Sequence, residues 1–535
     1  MSELHSYPPS VGAQGSHRHS HYDGTYRKPR TIILCFDGTN DVFDDTSTNL
    51  IRLFAALEKN VPGEQVVYYQ PGIGTYVRAE APWSPLLRDF AKTVDKGLAW
   101  YIGTHITGGY KFLMQHYSKG DKICLFGFSR GAFTARCLAG MLHKVGLLPR
   151  SNVEQVEFAY SLYESRDPKD VVRARQFKET FSSDVTVEFI GVWDTVSSVG
   201  FGAPLLPFNA SETFLRTFRH ALALDERRAK FQPNPWQYKK TCEICGSRPR
   251  VQGDGVKNIR TLVAGIEWPE DPECWCEDEM LYHGGQLTDV LEVWFPGFHA
   301  DVGGGNEKNT ERFTLANPSL RWMVTEILKS NCGIIFKRDA FTKWLPRLNK
   351  RILAFGAISS APPPDDNSSG NERKDGSQSL TVQEGFFTPL SIPGTPMGSR
   401  RSFKEPEPED EANARMNDML IEEPRWWLLE VLPLYQYWLG YDRQTKRGYR
   451  YVRAWFPKRI DLILSPDAVP IKSINFGRTR KIDQLIPLLH TSVLLRQVKH
   501  SDYDPEKRCS SRIEPRYVHE DDDLSDEVEE RERMQ

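Results

Sequence analysis

Three side-chain types that together perform acyl transfer stand in this chain in one order: Ser129, Asp194 and His299. A serine hydroxyl is a poor nucleophile near neutral pH. It needs an imidazole to take its proton and a carboxylate to hold that imidazole in the right tautomer and stabilise its charged form. Ser129 lies in Gly127-Phe128-Ser129-Arg130-Gly131, a G-x-S-x-G pattern. Before it, Ile123-Cys124-Leu125-Phe126 is an apolar run of the kind that forms a strand buried on both faces of a parallel sheet. After it, Phe133, Ala135, Cys137, Leu138, Met141 and Leu142 keep an apolar face at helical spacing. A strand-to-helix elbow presents its nucleophile from a sharp turn, so the positions two before and two after must be small. Gly127 and Gly131 meet that demand, and the amides at the start of the helix favour developing negative charge. An ordinary tight turn capped by a serine is the alternative account of the same five residues.

The other two groups sit where strands should end. Thr186 to Trp193, TVEFIGVW, reads as a strand that delivers Asp194, and Asp289 to Phe295, DVLEVWF, as one that runs into the loop carrying His299. Nucleophile, acid, base is the chain order of α/β hydrolases. The bland alternatives are a turn residue for Asp194 and a loop histidine bonded to backbone for His299. Gly303-Gly304-Gly305 would let backbone approach a ligand, or make a flexible turn. Thr31 to Phe36, TIILCF, is another buried strand, followed by Asp37-Gly38-Thr39-Asn40. An amide there, from Gly38 or Thr39, would complete an oxyanion hole with the amide of Arg130. The same FDGT text resembles the first motif of haloacid dehalogenase phosphatases, but Cys35 stands where their nucleophilic aspartate belongs, which removes that chemistry.

Positioning three strand ends together requires one sheet. Thr48-Asn49-Leu50 opens a helix, Gln65 to Gln70 reads as a strand, Leu86 to Tyr117 as mostly helical, and Val153 to Thr180 as charged helix. Thr213 to Arg228 has the spacing of an amphipathic helix. Strands alternating with helices predict an α/β fold, a mostly parallel sheet with helices on both faces.

The remaining text bounds the organisation. Residues 1–29 are rich in His, Ser, Gly and Pro and are expected to be disordered; the catalytic domain is expected over 30–355, with a cysteine-bearing insert at about 235–285. A Pro-, Ser- and Glu-rich insertion over 356–420 is expected to be disordered, 421–505 to be a helical part packed on the domain, and 506–535 to be an acidic tail. Cys242, Cys245, Cys274 and Cys276 are candidates for a structural zinc site, against unligated thiols. No other cofactor is required by the chemistry. His5, His17, His19 and His21 could hold a metal loosely, against the simpler account of a disordered His- and Ser-rich segment. A net charge of -2 and the lack of a basic block give no reason to expect nucleic acid. Nine cysteines, several in apolar runs, suit reduced thiols, and no signal segment or apolar run of roughly 18 residues is present, so a cytoplasmic protein is expected.

FDGTN at Phe36–Asn40, TNLIRL at Thr48–Leu53, GFSRGAFTAR at Gly127–Arg136, GVWDTV at Gly191–Val196, ALDERR at Ala223–Arg228 and WFPGFHADVGGG at Trp294–Gly305 together resemble the α/β-hydrolase domain of fungal and bacterial proteins related to type VI secretion phospholipase effectors. The resemblance runs over roughly 30–355 and more weakly through WWLLEVLPL and LLHTSVLLR. It implies a serine esterase or lipase with a Ser129, His299, Asp194 triad, acting on an ester or lipid, phospholipid among them. The Trp426 to Trp438 segment suggests a lid or a peripheral membrane contact, against simple core packing. A rival of another class is a non-catalytic scaffold that keeps the fold and binds a protein partner through its insertion and tail. A binding module has no need of Ser129, Asp194 and His299 together. Oligomeric state is not legible in the text.

Overall fold

The computed structural model describes residues 28–38, 45–59, 61–72, 102–165, 167–196, 215–236, 288–342, 345–358, 408–427, 436–439, 445–448, 480, 482, 487–505 and 515–519. The apolar runs become strands: β1 (Thr31–Phe36), β2 (Gln65–Gln70), β3 (Lys122–Phe128), β4 (Val187–Trp193), β5 (Leu215–Ala223) and β6 (Asp289–Phe295). β7 (Gln436–Leu439) and β8 (Thr445–Gly448) pair only with each other, antiparallel. β9 (Leu488–His490) and β10 (Arg516–Val518) join the main sheet, whose order is β10-β9-β6-β5-β4-β3-β1-β2 with every pairing parallel.

Parallel strands need crossovers, and these put helices on both faces. Alternation along β1 shows the division. Ile32, Leu34 and Phe36 face one core with α2 (residues 102–116), α3 (Ser129–Val145), α4 (Val156–Glu164) and α5 (Pro168–Phe181). Ile33 and Cys35 face the other core with α1 (Asn49–Ala56) and the helices Ala316–Ser330 and Pro346–Ala354. Thr48 caps α1, its hydroxyl accepting from the Ile51 amide at 3.1 Å.

Of residues 213–228, whose periodicity predicts an amphipathic helix, Leu215–Ala223 instead form β5 at the centre of the sheet. The charges that look like a solvent face are paired inside. Arg219 bonds Glu326 at 2.7 Å and Asp289 at 2.6 Å, and His220 bonds Glu292 at 2.9 Å. Tertiary pairing of these groups overrides the local helical pattern. The stretch expected to be disordered to residue 420 contains ordered chain from Pro408, because Glu411 meets Arg321 in a two-pronged ion pair at 2.6 and 2.8 Å. The part expected to be helical over 421–505 supplies β9 as well as the helix Thr491–Lys499, and β10 comes from the stretch assigned to the tail. The proposed cysteine insert, with Cys242, Cys245, Cys274 and Cys276, lies outside the described residues, as do residues 1–27 and 520–535. Among the described residues no helix is long and apolar enough to cross a membrane.

Candidate active site

Because all eight strands run the same way, their carboxyl ends share one edge, and the chain reverses its direction of growth between β1 and β3. Such a switch opens a crevice above the sheet. Ser129 stands at the end of β3 beside that crevice, Asp194 at the end of β4 and His299 four residues beyond β6.

Ser129 is held at φ 58° and Asp194 at φ 37°, the left-handed region that non-glycine residues seldom enter. Strain of this kind persists only where neighbours enforce it. A Cβ at Gly127 would stand 2.5 Å from Ala132 Cα, and one at Gly131 would stand 2.0 Å from the Phe36 carbonyl oxygen. Those two glycines therefore let α3 pack against β1 and β3 with Ser129 at the tip. No side chain caps the start of α3, and the Arg130 amide lies in that first turn, where the helix dipole favours negative charge. Gly38 follows Asp37 beyond β1, but its amide donates to Asp37 Oδ1 at 2.8 Å; Thr39 lies outside the described residues. Asp37 also accepts from Tyr69 at 2.7 Å and Thr48 at 2.9 Å, and burial pushes its carboxyl up to about 6 against those bonds.

His299 Nδ1 lies 2.6 Å from Asp194 Oδ2. With the proton on Nδ1, Nε2 is left as a free acceptor, the tautomer a general base needs. The Phe128 ring, next to Ser129, stacks on the imidazole at 4.7 Å, and Phe231 meets it edge-on at 4.8 Å. Gly303 is where this stacking requires a missing side chain, since a Cβ there would overlap the Phe128 ring at 1.9 Å. The glycine run therefore serves packing between the His299 turn and its neighbours. Asn49 donates to the Val302 carbonyl at 3.0 Å and so ties the TNLIRL stretch to the same turn.

Several groups hold this arrangement, and of these Asn417 and Arg480 carry no local signal in the sequence. Glu226 accepts from the His299 amide at 3.2 Å while paired with Arg228 at 2.8 Å, so the DERR text fixes the turn. Asn417 bonds Asp301 through its amide at 3.0 Å and its side chain at 2.7 Å. Arg480 grips Asp194 at 2.6 and 3.0 Å. Burial would raise the Asp194 carboxyl, yet Arg480, then His299, hold it well below the usual carboxylate range. Burial lowers His299 below 6.5, with Asp194 opposing and Arg228 assisting.

A base with that shift is neutral at pH 7 and charges only on acidification beyond 6.5. Were His299 the general base of an ester hydrolysis, the acid limb of kcat/KM for a soluble ester is expected to have its midpoint below pH 6.5. A pH–rate profile with its acid limb above 6.5 would contradict a neutral His299. The sign for folding is the same: the folded state favours the neutral ring, so this residue costs stability as pH drops below the unfolded value.

The chain is 30% identical over 403 residues to an uncharacterised protein of Saccharomyces cerevisiae, the match taking in 58% of each chain. It thus spans 58% of that relative's length. A crystal structure of an uncharacterised protein from Pseudomonas aeruginosa matches with a TM-score of 0.33 at 18% identity, over 64% of this chain and 52% of the other. The model of the T6SS Tle1-like phospholipase effector catalytic domain matches residues 30–326, more than half of the chain, and to that family the chain belongs.

Proposed function

We propose that the protein is a serine hydrolase that cleaves carboxylic esters of lipids, phospholipids among them, through an acyl-enzyme. Family membership supports a hydrolase of the lipase or phospholipase kind in general. The finer reading rests on one observation: a strained serine at φ 58° and a 2.6 Å aspartate–histidine pair converge on the same edge of one parallel sheet.

In this mechanism Ser129 Oγ attacks the ester carbonyl carbon as its proton passes to His299 Nε2. The carbonyl oxygen gains the negative charge, which the amide of Arg130 and an amide of the Gly38–Thr39 loop stabilise. Collapse breaks the bond to the alcohol, which leaves with the proton from His299. A water then gives its proton to His299, attacks the acyl carbon and releases the carboxylic acid, restoring Ser129. Asp194 keeps the ring oriented and offsets its charge without taking the proton. The Gly38 amide must turn from Asp37 to an oxyanion for that position to contribute.

The lipid form of the reading draws on an apolar rim. Phe231, in contact with His299, meets Trp426 edge-on at 5.5 Å, and Arg228 lies over both rings. Beside them Ile421 is 71% exposed and Trp427 38% exposed, placement that suits contact with an acyl-chain surface. The test is fatty-acid release from phosphatidylcholine vesicles set against hydrolysis of a water-soluble short-chain ester. Ile421→Glu with Trp427→Glu is expected to lower vesicle turnover about tenfold and to leave the soluble ester within about twofold. Equal loss on both substrates would remove the interfacial role, and no turnover of either would remove the hydrolase reading.

A further inference from the structure

We propose that Arg480 is a positioning residue for this reaction: its guanidinium locks the Asp194 carboxylate in one orientation and sets the pH at which His299 becomes a base. The inference rests on Ser129, His299 and Asp194 acting together as above.

The geometry is that of a clamp. Arg480 Nη1 donates to Asp194 Oδ1 at 2.6 Å and Nη2 to Oδ2 at 3.0 Å, a two-pronged pair in which both side chains are buried. The rest of the fork is also engaged. Nη1 donates to the Ala223 carbonyl at 2.7 Å, Nε to the Phe231 carbonyl at 3.1 Å, and Nη2 reaches that same carbonyl. Asp194 Oδ1 accepts in addition from the Ala223 amide at 2.9 Å. One guanidinium therefore joins the carboxylate, the end of β5 and the loop that places Phe231 against His299. A lysine has no planar fork with which to do this.

The charge matters as much as the geometry. A carboxylate neutralised by a permanent cation stabilises an imidazolium less than a carboxylate that meets only neutral donors. The other charged groups around the ring each have bonded partners of their own. Glu226 and Arg228, from the loop after β5, pair with each other; Asp301, on the His299 turn itself, is bonded to Asn417 and the Phe298 amide. Behind Asp194, His220 is bonded to Glu292, with Arg136 near both. Removing the Arg480 charge therefore shifts the proton equilibrium of the Asp194–His299 pair upward, whichever partner holds the proton. Arg480 lies 154 residues beyond the last residue of the family match at 326, so the arrangement draws on chain outside the matched domain.

The experiment uses the full chain with 13C-labelled histidine and follows the His299 ring through a pH titration, its signal identified by loss in His299→Gln. In Arg480→Gln the midpoint is expected to rise by about one pH unit, with the acid limb of soluble-ester hydrolysis moving alongside it. In Arg480→Lys the midpoint is expected to stay within about 0.3 units while fluorophosphonate labelling slows about tenfold, because charge is kept and the fork is lost. An unmoved midpoint in folded Arg480→Gln overturns the proposal, as does labelling of Arg480→Lys at the wild-type rate. The lysine variant decides the matter if the glutamine variant does not fold. A midpoint that moves in a protein whose wild type neither hydrolyses esters nor labels would leave the control of His299 by Arg480 standing and sink the catalytic reading instead.

Discussion

Ser129→Ala is expected to lower kcat for ester hydrolysis by about 10⁴-fold or more, to the level that binding and oxyanion stabilisation alone sustain. In the proposed mechanism the serine oxygen is the atom that forms the acyl bond, and no neighbouring side chain at the elbow can replace it. Thermal stability is expected to change little. Ser129 is 5% exposed, and its side chain is not among the bonds that hold the β3–α3 turn; Gly127 and Gly131 do that by their lack of side chains. Alanine occupies the same φ of 58° at similar cost, so a melting experiment beside the kinetics separates lost chemistry from lost structure. A folded Ser129→Ala protein with wild-type turnover would place the activity elsewhere.

Asp194→Asn should be costly in both measurements. The carboxylate is fully buried and serves three partners, the His299 ring at 2.6 Å, the Arg480 fork and the Ala223 amide at 2.9 Å. An amide cannot accept from His299 Nδ1–H and from both Arg480 prongs at once, so the imidazole loses its orienting acceptor. Turnover is expected to drop by about 10⁴-fold, as when the acid of such a triad becomes an amide. The uncompensated guanidinium left in the interior is expected to lower folding stability by about 3 kcal/mol, read as a reduced midpoint in urea. This contrast with Ser129→Ala is diagnostic: one variant is inactive at native stability, the other inactive and destabilised. An Asp194→Asn protein as stable as wild type would mean that the Arg480 pair carries little net energy.

The parts of the fold that could be read from the sequence are those where burial leaves a local trace. β1, β2 and β6 follow apolar runs bounded by turn residues, and Ser129, Asp194 and His299 stand at the predicted strand ends because parallel strands expose chemistry only there. β5 was illegible for the opposite reason. Arg219 and His220 sit on a strand flanked on both sides, and only partners far away in sequence, Glu326 and Glu292, make that tolerable. β9 and β10 are three residues each and take their place from pairing with an edge already formed. Arg480 lies within the stretch expected to be a helical part packed on the domain, with no motif around it, while its partner is 286 residues away. The DERR text was visible, but the hold of Glu226 on the His299 amide depends on the end of β5 meeting the turn after β6.

The central claim is an activated nucleophile at Ser129, and the most direct test is covalent capture. The full-length protein is treated with a fluorophosphonate at pH 7.5, digested, and the adduct located by mass spectrometry, with His299→Ala run in parallel. A Ser129 nucleophile activated by His299 gives one adduct, on the peptide containing Ser129, formed in the wild type and absent or strongly slowed in the histidine variant. A folded wild-type protein that remains unmodified, or one modified equally in the absence of His299, would contradict it.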